Sequence, residues 1–332
     1  MRTAVRLLVS LLVAAGLLAA LFHWGGLSAA ELWETWKQLP RGVYLQALSI
    51  HLGIYVLRAT RFRVLLPPAS RPTLPALLAV SSAHNLAAYV LPAKTGEGTL
   101  VLYLKKVCRV PASEGLASLV VSRLLDLATL AAMLAGSTLV LAGQGVLRGG
   151  WAFPLGALLA VAAATLFLLS ARSDWLVHAF AFGIRVLRLG GTGLGTKLTD
   201  SATRVAEALR AAGGEGRLAG AAFLSVPLWL GVFVFFLVLA RGFGLEQLGG
   251  VEATFASSWA VVANLLPING FAGAGTQEFG WVVGFKMVGV DEAIALSSGL
   301  GAHLVQLANV VLFGVLGHLV MALVTPKDVS SA

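Results

Sequence analysis

Two stretches of this chain decide how it folds: Asn85-Leu-Ala-Ala-Tyr-Val-Leu-Pro-Ala-Lys-Thr-Gly-Glu97 and Asn264-Leu-Leu-Pro-Ile-Asn-Gly-Phe-Ala-Gly-Ala-Gly-Thr-Gln-Glu278. Each leaves an apolar run through an Asn, meets Leu-Pro, crosses a Gly-bearing turn to a Glu, and becomes apolar again. A Pro and Gly interruption at membrane depth frees backbone N–H and C=O groups. Hydrocarbon cannot satisfy them, so such a break must be buried in protein or line a wet cavity. Two interrupted segments at corresponding positions of two halves are the sequence pattern of a transporter's midplane site.

The composition around these stretches leaves little to face water. Hydrophobic residues make up 58% of the chain and charged residues 12%, where a soluble domain carries about 25% charged. The mean hydropathy is +0.87. A polytopic, all-α integral membrane protein follows. The 38 glycines suit close helix contacts in lipid. The single cysteine, Cys108, excludes an intrachain disulfide and a multi-cysteine metal site. The formal net charge of +9 does not point to nucleic acid, because the basic residues flank apolar spans in the manner of cytoplasmic loops.

Apolar stretches fit to span a bilayer, which takes about 20 residues, lie near 4–22, 42–57, 115–141, 151–170, 218–240 and 298–323. The first, after Arg2 and Arg6, is expected to be retained rather than cleaved, since no small-x-small site directly follows it. Segments 73–104 and 251–288 contain the breaks, and each is expected to be a pair of half-helices entering and leaving on one side. The expected architecture is therefore about six transmembrane helices plus two re-entrant segments, in a single membrane domain over 1–332. The first repeat region is 1–142 and the second 218–325, in inverted topology.

Charge supports that layout. With the N-terminus in the cytoplasm, Arg58, Arg61, Arg63, Arg71, Lys105, Lys106, Arg109, the loop 171–217 and Lys327 fall inside, while Lys37, Arg41, Arg148 and Arg241 stay outside. A single crossing by 73–104 would put Lys105, Lys106 and Arg109 on the wrong side. The expected location is the cytoplasmic (inner) membrane, with both termini cytoplasmic. Within 171–217, Leu198, Ala202, Val205 and Leu209 form a stripe at helical spacing. This basic amphipathic helix fits either an anionic membrane surface or the side of the bundle.

Charges inside a membrane are expensive and mark candidate sites. Six qualify: Lys94, Glu97, Arg123, Asp126, Glu278 and Lys286. Arg123 and Asp126, three apart on one span, share a face and can pair, as a structural ion pair or as a substrate contact. Lys286 lies near a membrane end and can snorkel. Glu97 and Glu278 each follow a helix break, where half-helix N-termini favour anions and exposed carbonyls favour cations. Lys94 with such N-termini suits a phosphate; Glu97 and Glu278 suit an ammonium group or a proton. Neutral Gln at 278 is then expected to abolish headgroup passage. His84, Asn85, Asn264, Asn269, Thr276, Gln277, His303, Gln306 and Asn309 add polar groups, either as interhelical hydrogen bonds or as ligands. His303 and Gln306, at i and i+3, are expected to face the second break. The chain has no H-E-x-x-H helix, G-x-S-x-G elbow or Walker A loop. Neither an enzyme nor a cofactor is expected.

At these residues the chain resembles the lysylphosphatidylglycerol-synthase transmembrane-region proteins, also called flippase-like domain proteins. The resemblance rests on Asn85 through Gly98, on Ser122-Arg-Leu-Leu-Asp126 and on Leu266-Pro267 through Glu278, and it covers nearly the whole chain. It implies a bundle of inverted repeats with re-entrant helices that moves lipids between leaflets. In fused family members the cargo is an aminoacylated phospholipid, and stand-alone members are associated with varied lipids, including polyprenyl phosphates and hopanoids. This chain departs from the pattern. No synthase domain follows Lys327, so lysyl transfer is not expected. Lys94 stands where an Arg is usual, and Ser122 stands where Glu often precedes the Arg. Two functions fit: a translocase for a phospholipid or polyprenyl-phosphate lipid, or a non-transporting subunit presenting a lipid to a partner lipid-modifying enzyme.

Overall fold

The computed structural model describes residues 37, 39–91, 96–147, 150–171, 216–265 and 271–324. The expected span 4–22, the amphipathic stripe at 198–209, Lys94 and Asn269 lie outside the described residues. Within them the chain forms helices and short 3-10 turns: α1 (Arg41–Leu65), a turn at Pro68–Ser70, α2 (Leu74–Val90), a turn over 96–98, α3 (Thr99–Cys108), α4 (Ala112–Gly143), α5 (Ala152–Ala171), α6 (Arg217–Gly242), α7 (Gly250–Leu265), a turn at Phe271–Gly273, α8 (Thr276–Met287) and α9 (Glu292–Val324).

Proline and left-handed backbone punctuate these elements. Pro40 and Pro111 stand at the N-caps of α1 and α4, and a Pro lies in the first turn of α2. The missing proline N–H costs nothing there, because a helix start leaves its first donors unpaired. Arg109 ends α3 in the left-handed region (φ 59°), and the Val110 N–H returns to the Leu104 carbonyl. Lys105 and Lys106 sit in that last turn, where cations complement the helix dipole.

Length separates two kinds of helix. Ala112–Gly143, Arg217–Gly242 and Glu292–Leu323 are long and apolar enough to cross a membrane. By contrast α2, α3, α7 and α8 hold 17, 10, 16 and 12 residues. At a rise of about 1.5 Å per residue, none of the four reaches the roughly 30 Å of a hydrocarbon core. They fold back in pairs. The Cβ a substitution would add at Gly280 meets Trp259 and Ala260, and one at Gly284 meets Ala256, the antiparallel register of an α7–α8 hairpin. In α2–α3, a Cβ at Gly96 would meet Ala87 and Ala88, and His84 bonds Thr99. Backbones approach closely where Gly removes the side chain, which is how helices bind without a hydrophobic driving force between them. Gly284→Val is therefore expected to cost about 1–3 kcal/mol by overpacking, measured as a lowered melting temperature in detergent; an unchanged value would exclude this seam.

The order helix, short hairpin, long helix occurs twice, as α1, α2–α3, α4 and as α6, α7–α8, α9. The two sets interlock: α1 packs on α6, α9 on α2, and α4 on α7. A shared core joins Ile54 of α1, Phe233 and Phe236 of α6, Ala256 of α7, Trp281 and Phe285 of α8, and Val305 of α9. The outer faces expose Leu158 and Val161 of α5, Phe223 and Leu230 of α6 and Phe279 of α8, the apolar surface expected toward lipid.

One expectation is corrected. The span near 42–57 does not end before Arg58; α1 continues unbroken to Leu65. Arg58 and Arg61 are thus helical residues rather than loop residues, and Arg61 is buried at 1% exposure.

Candidate functional site

Residues flanking the two helix breaks line one cavity of ≈ 760 Å³. Asn85, Tyr89 and Glu97 line it from the first hairpin, and Asn264, Gly273 and Gln277 from the second. Helices α1 (His51, Arg58), α4 (Arg123, Asp126), α6 (Trp229, Phe235) and α9 (Gln306) close the remaining walls.

The polar wall beside the first break is built from charges. Arg123 of α4 meets both carboxylate oxygens of Glu97, its Nη2 lying 2.7 Å from Oε1 and 2.5 Å from Oε2. The same guanidinium reaches Asp126 Oδ2 at 3.3 Å, the i,i+3 pair expected from sequence. Asp126 Oδ1 then accepts from Arg61 Nη1 at 2.7 Å and from the Trp229 indole at 3.0 Å. Arg61 Nη1 also reaches Ser225 Oγ at 2.9 Å. The chain of charge therefore runs Glu97–Arg123–Asp126–Arg61, from the cavity wall into the interior between α1, α4 and α6. Paired and hydrogen-bonded charges are the form in which ions persist in a low-dielectric interior.

Arg58 stands one turn from Arg61 with different partners. Its Nη1 donates to Asn85 Oδ1 at 3.1 Å, and its guanidinium lies 6.0 Å from the Tyr55 ring centroid. Asn85 in turn donates from Nδ2 to the Tyr55 hydroxyl at 2.6 Å. His84 donates from Nδ1 to Thr99 Oγ1 at 3.0 Å, since that hydroxyl spends its own proton on the Gly96 carbonyl. Its Nε2 lies 3.9 Å from Glu97 Oε2.

A second polar chain ties the two hairpins together. Asn264 Nδ2 donates to Gln277 Oε1 at 2.7 Å, Gln277 Nε2 donates to Gln306 Oε1 at 2.9 Å, and Gln306 Nε2 donates to the Tyr89 hydroxyl. Ala272, in the turn of the second break, packs on Leu86 and Val90 of α2. Ala272 adopts φ 54°, a left-handed conformation a non-glycine residue takes at some cost.

Glu278 and His303 are placed differently from the other candidates. Glu278 Oε2 accepts the Gly275 N–H at 2.8 Å, capping α8 with its own side chain, and Oε1 meets His303 Nδ1 at 2.5 Å. His303 Nε2 donates to the Ala272 carbonyl at 3.1 Å. Neither residue lines the cavity; together they tie the turn at Ala272 and the start of α8 to α9. The Glu278 carboxylate, expected as a headgroup ligand, has two internal partners here, the Gly275 N–H and His303. Thr276 is the half-buried first residue of α8. Lys286 makes an exposed pair with Glu292 at 2.5 Å, remote from the cavity.

Of the residues expected from sequence, Asn85, Glu97, Arg123, Asp126, Asn264 and Gln277 meet at the cavity, and His303 with Gln306 does face the second break. Sequence reasoning missed Arg58, Arg61, Tyr89 and Trp229. The signal for the two arginines was their spacing, i and i+3, directly after an apolar run. Among the described residues no cluster of three His, Cys, Asp or Glu side chains is placed to hold a metal.

A family model described as Lysylphosphatidylglycerol synthase TM region matches residues 7–314. No curated protein and no solved structure matches the sequence.

Proposed function

This chain belongs to the lysylphosphatidylglycerol synthase TM-region family, and from that premise we propose that it is a lipid translocase. The family supports a lipid-related role for this multi-pass membrane protein. The observation that carries the finer reading is the cavity itself: a polar, charge-lined wall at the meeting of two broken hairpins, inside a bundle whose outer face is apolar. The headgroup would travel along the wall formed by Glu97, Arg123, Asp126 and Asn85, while the acyl chains stay in lipid. The paired halves, each a helix, a hairpin and a long helix, support an inverted repeat. In such repeats alternating access comes from rocking one unit against the other around a central site. We place the protein in the cytoplasmic membrane with both termini inside, following the Lys and Arg bias of the loops.

The test is headgroup translocation in sealed proteoliposomes, using zwitterionic, anionic, aminoacylated and polyprenyl-phosphate lipids, with a Glu97→Gln protein alongside. Glu97→Gln removes the charge that neutralises Arg123 at the wall. It is expected to slow transport roughly tenfold or more, the equivalent of about 1.4 kcal/mol in a barrier, with the melting temperature little changed. Lipid held but never moved would replace this reading with that of a subunit presenting lipid to a partner enzyme. Chemical conversion of a lipid by the purified chain would make it an enzyme instead.

A further inference from the structure

The linked charges at the first break do not balance once the buried Arg61 behind the cavity wall is counted. The connected charge network at this wall holds three guanidinium groups, Arg58 and Arg123 lining the cavity and Arg61 buried behind it, and two carboxylates, Glu97 and Asp126, both on the lining. The difference, 3 − 2, leaves one positive charge among the described residues before any histidine is counted. The pairings identify which one. Both oxygens of Glu97 are on Arg123, and the oxygens of Asp126 are divided between Arg61 and Arg123. Each carboxylate is thus committed. Arg58 has an amide oxygen and an aromatic ring as partners, and among the described residues no carboxylate lies within 4.0 Å of it.

Arg58 is also held in place. Asn85 is oriented by its bond to the Tyr55 hydroxyl, so its oxygen is fixed toward Arg58 Nη1. A guanidinium carries five N–H donors in a planar fork, and this bond uses one of them. A cation without a counter-ion on a largely buried cavity wall is costly unless something anionic completes it. The fork geometry matches the two oxygens of a phosphate.

We propose that Arg58 is the anion-binding residue of the cavity, taking a phosphate oxygen pair of the lipid headgroup. The site then selects headgroups of net negative charge over zwitterionic or net cationic ones. The inference rests on the lipid-cavity reading and adds the class of cargo. A lysylated headgroup, carrying net positive charge, is disfavoured by the same imbalance. The Glu97–Arg123 pair supplies a second guanidinium on the same wall, available to the phosphate only when Glu97 lets go.

The experiment is retention of defined lipids by the purified full-length chain, read by native mass spectrometry. The probes are phosphatidylglycerol, phosphatidic acid, phosphatidylcholine, lysylphosphatidylglycerol and inorganic phosphate. The proteins are the unaltered chain, Arg58→Gln and Arg58→Lys. Phosphatidylglycerol and phosphatidic acid should be retained about tenfold or more over phosphatidylcholine, the size expected for a charge-assisted contact. Arg58→Gln, which can still donate to Asn85, should abolish the preference, and Arg58→Lys should keep part of it. Equal retention of all lipids would overturn the selectivity and leave the cavity reading standing. A preference that survives in Arg58→Gln would overturn the residue assignment. No lipid retained by the folded chain would remove the cavity reading itself. Inorganic phosphate bound through Arg58 as tightly as the anionic lipids would make a free anion, not a headgroup, the ligand.

Discussion

Asp126→Ala is expected to destabilise the protein by about 3–5 kcal/mol, the usual cost of removing one partner of a buried ion pair. The number follows from what the carboxylate leaves behind. Arg61, at 1% exposure, loses its counter-ion and keeps only the Ser225 hydroxyl. Its Nε is already without a hydrogen-bond partner. The Trp229 indole loses its acceptor, and Arg123 loses one of its two carboxylates. Asp126→Asn keeps an oxygen for Trp229 but not the charge, so it should fall between. The informative control removes both ions: Arg61→Met with Asp126→Leu should recover much of the loss, because a pair replaced by apolar groups carries no stranded charge. Reversible unfolding in mixed detergent micelles measures each variant. A double variant no more stable than Asp126→Ala would mean that the loss does not come from stranding the Arg61 charge.

The second large effect concerns the contacts that tie the second break to α9. The Ala272 carbonyl can only accept, so His303 Nε2 carries a proton. His303 Nδ1 and Glu278 Oε1 at 2.5 Å then require one more proton between them, on the nitrogen or on the oxygen. His303→Leu strips the Ala272 carbonyl of its donor and leaves a carboxylate, in a residue 9% exposed, facing carbon. With about 1–3 kcal/mol for each stranded buried group, and more for a charged one, a loss of about 3 kcal/mol or more is expected. Glu278→Gln should be mild, about 1 kcal/mol. Its amide nitrogen donates to His303 Nδ1 and its oxygen still accepts the Gly275 N–H. Because Glu278 stands off the cavity wall, lipid retention should be unaffected by that substitution. Equal destabilisation by both variants would show that the ionic character of the pair, and not its hydrogen bonds, stabilises the turn at Ala272 against α9.

These contacts show where sequence reasoning works on such a chain. Segments 73–104 and 251–288 were legible as interrupted because Pro and Gly act locally: one removes a donor, the other admits left-handed backbone. The spans near 115–141, 218–240 and 298–323 were legible because an apolar run long enough to cross hydrocarbon has few alternatives. The pair Arg123–Asp126 was legible because three residues along a helix is a fixed geometry.

Arg61 was not legible. An arginine after an apolar run of modest length reads as the start of a cytoplasmic loop, and that rule placed Arg58 and Arg61 outside the membrane. Their meaning changed only when α1 packed against α4 and α6, bringing Arg61 to a carboxylate 65 positions away. The link from Asn264 through Gln277 and Gln306 to Tyr89, which spans both hairpins, is of the same kind. Glu278 is the converse case: its place after a helix break suggested an open ligand, and folding brings its carboxylate the Gly275 N–H and His303 as partners. The sequence by itself determined the class of protein, the three spans near 115–141, 218–240 and 298–323 and the two breaks, since those depend on length, hydropathy and local backbone freedom. Tertiary structure alone decided which charges are paired between helices and which is left facing the cavity, because the cost of a charge in low dielectric is set by the partner that folding brings to it.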